Sequence, residues 1–478
     1  MLNFKRFLWL ALFSLTVSYA QKPKIWTSAD IHDAVQKLNV LGSVLYVAAH
    51  PDDENTRLIS YMSNHVKART AYLSLTRGDG GQNLIGPELR ELLGVMRTQE
   101  LLAARRVDGG EQRFTRANDF GYSKHPDETL TIWNKEEVLG DVIWAIRNFK
   151  PDVIINRFDH RTPGRTHGHH TSSAMLSMEA FDLSNDKNSY ADQLDLTETW
   201  QPKRIFFNTG WWFYGSRENF EKADKSNMLD FDIGVYYPSK GMSNNEIASL
   251  ASSQHLCQGF GRLSTRGSQS EYIEFLKGEP MTNGDVFDGI DISWNRIEGG
   301  NAIADILKPI EVNFNYTDPA SHLPELLKAL RLIEQLDDAH WKVIKANEIK
   351  AIIQACAGLY LEASASEPTA VPGSALDLNI EALNRSEANI ILKSIKLTTG
   401  TRAIEKDLTL EHNKRENIKE ELNIPKNWNI TSPYWLNSKG SLGMYKVDKQ
   451  KLIGEPETPR TVRAIFQMEI AGEPLDIS

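Results

Sequence analysis

Residues 44–54 read VLYVAAHPDDE. The first half is an unbroken apolar run rich in β-branched residues, the pattern of a strand buried on both faces of a parallel sheet. The run ends in His50, Pro51 and three successive carboxylates, Asp52, Asp53 and Glu54. Open α/β sheets place their chemistry at the carboxyl ends of their strands. Pro51 disfavours helical geometry at His50, so the chain stays extended through the histidine and then turns, gathering His50, Asp52 and Asp53. Imidazole nitrogen and carboxylate oxygen are ligands for a divalent cation such as zinc. A third ligand and an open position for water would complete a catalytic site, with the spare carboxylate as base. In the competing reading Asp52, Asp53 or Asn55 caps the next helix and His50 is an ordinary surface histidine. The coincidence of a buried strand, a histidine and paired carboxylates favours the metal.

Outward from this stretch, residues 30–38 carry Ile31, Ala34, Val35 and Leu38 at helical spacing, and 56–66 read as a second helix. Residues 70–75, TAYLSL, are a second strand and complete a βαβ unit. It runs into residues 76–81, TRGDGG, at the same sheet edge as His50 if the two strands are parallel. The spacing fits neither GxGxxG nor GxxxxGK[ST], which argues against a nucleotide. The glycines are expected to serve turn geometry, and Arg77 is expected to face the pocket as a ligand for a substrate oxygen. Residues 88–107 read as a helix in which Arg97 and Glu100, three apart, form a structural pair. Asp119, in an irregular stretch after a short strand at 112–115, either lines the pocket or makes a turn.

An amphipathic helix over 136–149 leads into a strand at 152–156, a polar loop over 157–165, and then THGHH at 166–170. Three of the twelve histidines, His167, His169 and His170, thus fall within four residues. They precede a helix expected over 171–181, so this cluster also lies at the carboxyl end of a strand, and both clusters can converge on one rim. A further strand at 203–208 opens into four adjacent aromatics, 211–214. On an extended segment these alternate sides, so Trp211 or Trp212 could stack on a sugar while others join the core. His255, at a helix end, either reaches the pocket or bonds to backbone. Residues 272–276 read as helix, and loop-like composition over 280–301 closes the first domain.

The expected organisation begins with a secretory signal at 1–20. Lys5 and Arg6 precede an apolar core at 7–17 too short for a comfortable membrane span, and Ser18-Tyr19-Ala20 supplies the cleavage pattern. The mature chain is therefore expected to be secreted or periplasmic, with no later membrane span. A catalytic domain at 21–300 is followed by a helical connecting region at 301–362, with Leu323, Leu327, Leu330 and Ile333 in one stripe. A small-residue and proline-rich linker at 363–375 then leads to a β-sandwich-like domain at 376–478, whose last sheet is open to being incomplete. The fold class is α/β: a Rossmann-like, mostly parallel sheet with helices on both faces, then a helical segment and a small all-β unit. Cys257 and Cys356 alone exclude a disulfide scaffold. The formal charge of −9 falls to −11 once Lys5 and Arg6 are removed, which argues against a nucleic-acid partner.

The motifs AHPDDE at 49–54 and HGHH at 167–170 resemble those of the LmbE-like, or PIG-L-type, N-acetylglucosaminyl deacetylase family. The resemblance covers about residues 40–275, includes Arg77-Gly78 and the helix of Arg97 and Glu100, and leaves the C-terminal region outside. It implies a Rossmann-like fold and metal-dependent, usually zinc-dependent, hydrolysis of an N-acetyl group on an amino sugar or sugar conjugate. Fe2+ or another divalent metal is the alternative cofactor. By position it implies His50, Asp53 and His170 as metal ligands, Asp52 as general base, and a protonated His167 stabilising the tetrahedral intermediate. Arg77, Asp119, Trp211 and His255 are the candidate substrate contacts. One position departs from the family, which commonly has aspartate where this chain has His169, so His169 either replaces His167 or faces solvent. The chemistry fits independently: a bound zinc lowers the pKa of its water to about 7 and polarises the acyl oxygen. The alternatives are a carbohydrate-binding protein without catalysis and an amidase for a different conjugate.

Overall fold

The computed structural model describes residues 25–478 apart from 262, 283 and 399–402. The expected secretory signal lies outside the described residues. Five strands run parallel: β1 (Ser43–Ala48), β2 (Arg69–Ser74), β3 (Glu111–Phe114), β4 (Val153–Asn156) and β5 (Arg204–Thr209). After β6 (Met228–Asp232) and a two-residue hairpin of β7 (Tyr236–Tyr237) and β8 (Met242–Ser243), β9 (Ser270–Gly278) returns antiparallel between β5 and β6. The sheet order is β3-β2-β1-β4-β5-β9-β6. Residues 272–276, expected as helix, are therefore strand. Their apolar spacing allows either form, and pairing with β5 on one side and β6 on the other decides it.

Alternate residues of β1 feed two cores, as a strand covered on both faces must. Leu45 and Val47 pack with Val138, Val142 and Ile146 of α5 and Leu176 and Ala180 of α6, whereas Val44 and Tyr46 pack with Leu58, Ile59 and Leu101. Here α1 is Ser28–Leu38, α2 Thr56–Ser60 continued by a π turn over Tyr61–His65, α3 Glu91–Asp108, α4 Pro126–Ile132, α5 Lys135–Phe149 and α6 Gly168–Leu183. The chain order reverses between β1 and β4, and such switch points open a crevice at the carboxyl ends of the strands. His50 and the histidine tract follow those two strands.

Beyond α7 (Arg217–Lys222) and α8 (Asn244–Ser252) come α9 (Gly300–Val312), α10 (Leu323–Glu334) and α11 (Ala339–Cys356). The predicted stripe of α10 is buried at Leu323, Leu327, Leu330 and Ile333, each such side chain contributing about 2 kcal/mol of hydrophobic stabilisation. These helices share one core with α1 and with two antiparallel sheets. The strands are β10 (Tyr360–Ala365), β11 (Ala375–Leu383), β12 (Ile390–Leu397), β13 (Ile404–Thr409), β14 (Arg415–Asn423), β15 (Ala464–Ile470) and β16 (Glu473–Ile477). One sheet is β10-β11-β14 and the other β13-β12-β15-β16. The expected linker at 363–375 is instead the end of β10 and the loop joining it to β11, because Ala363 to Ala365 pair with Ile380 to Leu378.

Residues 424–463, between β14 and β15, leave the C-terminal sheets and pack against the first sheet as a strap. The Gly454 carbonyl accepts from Phe114 N (3.1 Å), Gly443 O from Asn118 N (2.9 Å), and Ile453 O from Trp144 Nε1 (3.0 Å). Tyr434, Trp435 and Tyr445 form a small buried cluster of their own. No described helix is long and apolar enough to cross a membrane.

Candidate metal centre

The turn after β1 is held by its own polar atoms. His50 N donates to Asp53 Oδ2 (2.8 Å), Asp53 N to His50 O (3.2 Å), and Asp52 N to Glu54 Oε2 (2.9 Å). Asn55 caps α2 by accepting from Arg57 N and Leu58 N, so the capping reading holds for Asn55 and leaves Asp52 and Asp53 for other work. Asp52 sits at φ 106°, a left-handed conformation unusual for a residue with a side chain. The strain is held from outside: Arg97 Nη2 lies 3.0 Å from Asp52 Oδ1 and also donates to Pro51 O, while Nη1 reaches Gly78 O (3.2 Å). Arg97 is therefore not the partner of Glu100, which instead accepts from Cys257 N (2.7 Å). The signal was available: Arg97 falls on the stripe of α3 between buried Leu93 and Leu101. A charge placed there needs buried partners.

Behind the turn, fully buried Glu54 accepts from His255 Nε2 (2.8 Å) and Arg105 Nη2 (3.2 Å), and Arg105 also pairs with Asp108. Burial alone would raise the Glu54 carboxyl, but His255 and Arg105 outweigh it and hold it down to about 2. His255 is 1% exposed, so its expected substrate contact is not made; the ring braces Glu54 from inside. Arg77 departs further from expectation. It is fully buried and turned away from the pocket, donating to Thr98 Oγ1, Pro456 O, Tyr434 Oη and Glu455 O, and its guanidinium stacks 3.5 Å from the Trp435 ring. It binds the strap.

The histidine tract begins earlier in its helix than expected, because α6 starts at Gly168. His167 is the cap: its Nδ1 accepts from His169 N (3.1 Å), which leaves the ring proton on Nε2. Burial, then the charges of His50 and His170, push His167 down to about 4, so the expected protonated form is replaced by a neutral Nε2–H donor. His170, stacked on Phe158 at 3.9 Å, brings Nε2 to 3.4 Å from Asp53 Oδ1. The other Asp53 oxygen lies 3.0 Å from His50 Nδ1. His169 does not face solvent: it is fully buried, with Nδ1 2.9 Å from His50 Nε2 and its ring between Trp133 and Phe120. Its Nε2 has no partner among the described residues.

His50, Asp53 and His170 each offer a ligand atom, all within 4.8 Å of one another. Asp53 faces the two histidines with separate oxygens, Oδ2 at 3.0 Å from His50 Nδ1 and Oδ1 at 3.4 Å from His170 Nε2. His50, His167 and His169 form an overlapping second set. The mixed nitrogen and carboxylate donor set suits a divalent cation. Burial raises Asp52 to about 6 against the pull of Arg97.

Two cavities meet at Asp52 and Asp53. One, about 330 Å³, is bounded by His50, His167, His170, Asp119 and the Gly80-Gly81 loop. Asp119 both lines it and makes a turn, accepting from Gly121 N (2.9 Å). The other, about 390 Å³, extends past Trp211. The four aromatics are not extended but form a single 3-10 turn, Trp211–Tyr214, that leaves Trp211 and Trp212 exposed.

Residues 45–181 match the family model PIG-L: GlcNAc-PI de-N-acetylase. The chain carries a PIG-L domain. A comparison with curated proteins found no match. Among solved structures, the chain is similar to an N,N'-diacetylchitobiose deacetylase from Pyrococcus horikoshii, at 21% identity over 34% of this chain and 59% of that one, with a TM-score of 0.28. It is also similar to a conserved protein of Thermus thermophilus (18% identity, 46% and 80% of the two chains, TM-score 0.30). A third likeness is to 4-carboxy-2-hydroxymuconate hydratase from Pseudomonas putida (15%, 51% and 99%, TM-score 0.34). The PIG-L match covers β1 through most of α6, and so includes both motifs of the centre.

Proposed function

We propose that this protein is a hydrolase that removes an N-acetyl or other N-acyl group from an amino sugar or sugar conjugate. The proposed cation ligands are His50, Asp53 and His170. The observation that carries the reading is the Asp53 carboxylate, whose two oxygens face His50 and His170 from motifs more than a hundred residues apart. The PIG-L match supports the reaction class. Zinc is the first choice of cation and Fe2+ the second.

When bound, the cation would supply Lewis-acid polarisation of the acyl oxygen and a more acidic water. Asp52, adjacent to Asp53 and aimed by Arg97, takes the proton of the attacking water and is placed to return it to the departing amine. The His167 Nε2–H, with Nδ1 fixed by its cap, donates to the developing oxyanion; such donors are worth about 3 to 4 kcal/mol in the transition state. Trp211 offers an exposed face for a sugar ring. Export, inferred from residues 1–20, belongs to the same proposal.

The test is acetate release from N-acetylglucosamine derivatives, with the metal content of the protein measured in parallel. Asp52→Asn should keep the metal and lose turnover by about 10²- to 10⁴-fold, whereas His170→Ala should lose the metal. Normal turnover by Asp52→Asn would overturn the assignment of the base. Glycan binding without acetate release, with zinc or iron supplied, would leave a carbohydrate-binding protein instead.

A further inference from the structure

Two arginine side chains line the 390 Å³ cavity beside Asp52 and Asp53. Arg57, at the start of α2, and Arg157, just after β4, both line it and are half-buried. Neither guanidinium has a hydrogen-bonded or ion-paired partner among the described residues; Arg157 has only the rings of Phe158 and Phe213 at 5.9 and 5.5 Å. In a chain whose formal charge is −9, with most of its buried arginines tied to carboxylates or carbonyls, two such groups on one wall call for an anion.

A second observation points the same way. Asn245, 3% exposed, lines the same cavity, and both its amide oxygen and its amide nitrogen lack partners. Buried amides are normally satisfied, so Asn245 is set to bind something polar that enters. Glu271, the remaining carboxylate of this wall outside the metal turn, accepts from Asn208 Nδ2 (2.7 Å) and leaves an oxygen for a sugar hydroxyl. Trp211 and Trp212, 45% and 64% exposed, stand at the cavity's side as stacking faces.

We propose that this cavity is an extended subsite for an anionic saccharide, in which a carboxylate or phosphate on or next to the N-acyl sugar pairs with Arg57 and Arg157. The placement of the N-acyl group rests on the proposed hydrolysis; recognition of the anion does not. Calorimetric titration of the full-length Asp52→Asn variant reads binding without turnover. The probes are N-acetylglucosamine linked to glucuronic acid, N-acetylglucosamine 6-phosphate, and neutral N,N'-diacetylchitobiose. At least one anionic probe should bind about tenfold or more tightly than the neutral one, and adding Arg57→Gln and Arg157→Gln together should erase that preference. Which anionic probe gains more identifies carboxylate or phosphate as the source. Equal binding of all three probes, or a preference that survives loss of both arginines, would overturn the subsite. In the unmodified chain, acetate release at equal kcat/KM from neutral and anionic probes would sink the subsite alone. An arginine-dependent anion preference without acetate release would sink the hydrolase alone.

Discussion

The Nε2 of His50 lies 2.9 Å from Nδ1 of His169, a ring with no exposed surface. A cation held on His50 Nδ1 beside Asp53 would leave the ring proton on Nε2, and His169 Nδ1 would accept it. The proposed ligand is thus oriented by a buried neutral acceptor. Outer partners of this kind usually change metal affinity by about 10- to 100-fold when removed. His169→Ala should weaken metal binding by that factor, while His169→Asn, which keeps an acceptor oxygen, should recover most of it. Chelator competition measures both; a wild-type affinity in His169→Ala would show that the contact is incidental.

Arg77 should prove a folding residue. Its guanidinium satisfies two strap carbonyls and the Tyr434 hydroxyl, all of which lose a buried partner when it is truncated. Arg77→Ala should cost at least about 3 kcal/mol in denaturant unfolding. Arg77→Lys should recover little, since an ammonium cannot reproduce a fork between several acceptors. An unchanged midpoint for Arg77→Ala would mean that the strap is held by other contacts.

Asp79 links stability to pH. Burial pushes its carboxyl up to about 7, despite the Tyr445 hydroxyl that donates to Oδ1, and Oδ2 has no partner among the described residues. A carboxyl raised on folding favours the folded state while protonated. Its contribution is complete below the unfolded value near 4 and is lost as pH rises through about 7. Asp79→Asn should remove this dependence, so the variant gains on the wild type between pH 4 and pH 8, by up to about 4 kcal/mol. Thermal melts of both proteins across that range decide it. A constant difference in stability would place the Asp79 titration elsewhere.

The parts of this molecule that follow local rules were legible in its sequence. The apolar run of β1, the helix stripes and the positions of both polar clusters after parallel strands depend on short-range periodicity and on one rule about sheet edges. What escaped depends on distant partners. Arg77 follows a strand and looks like a pocket residue until Tyr434 and Glu455 arrive to claim it. His255 and Glu54 are far apart in sequence, and their contact has no local signature. The strap was invisible for the same reason: residues 424–463 lack periodicity because their backbone pairs with another part of the chain. β9 shows the converse, a segment whose spacing allowed a helix and whose neighbours made it a strand.

Arg77 and Pro456 are 379 residues apart, yet they are in contact. While the chain is being synthesised, the sheet that carries the turn of His50 and Asp53 emerges early, with the Arg77 guanidinium and the Phe114 and Asn118 amides lacking their strap acceptors until that segment follows. Closing so long a loop is slow and leaves polar and apolar surface open in the interval. Maturation of the centre is thus coupled to the arrival of a late segment, and an early-folded first unit would be a natural client for a chaperone until then.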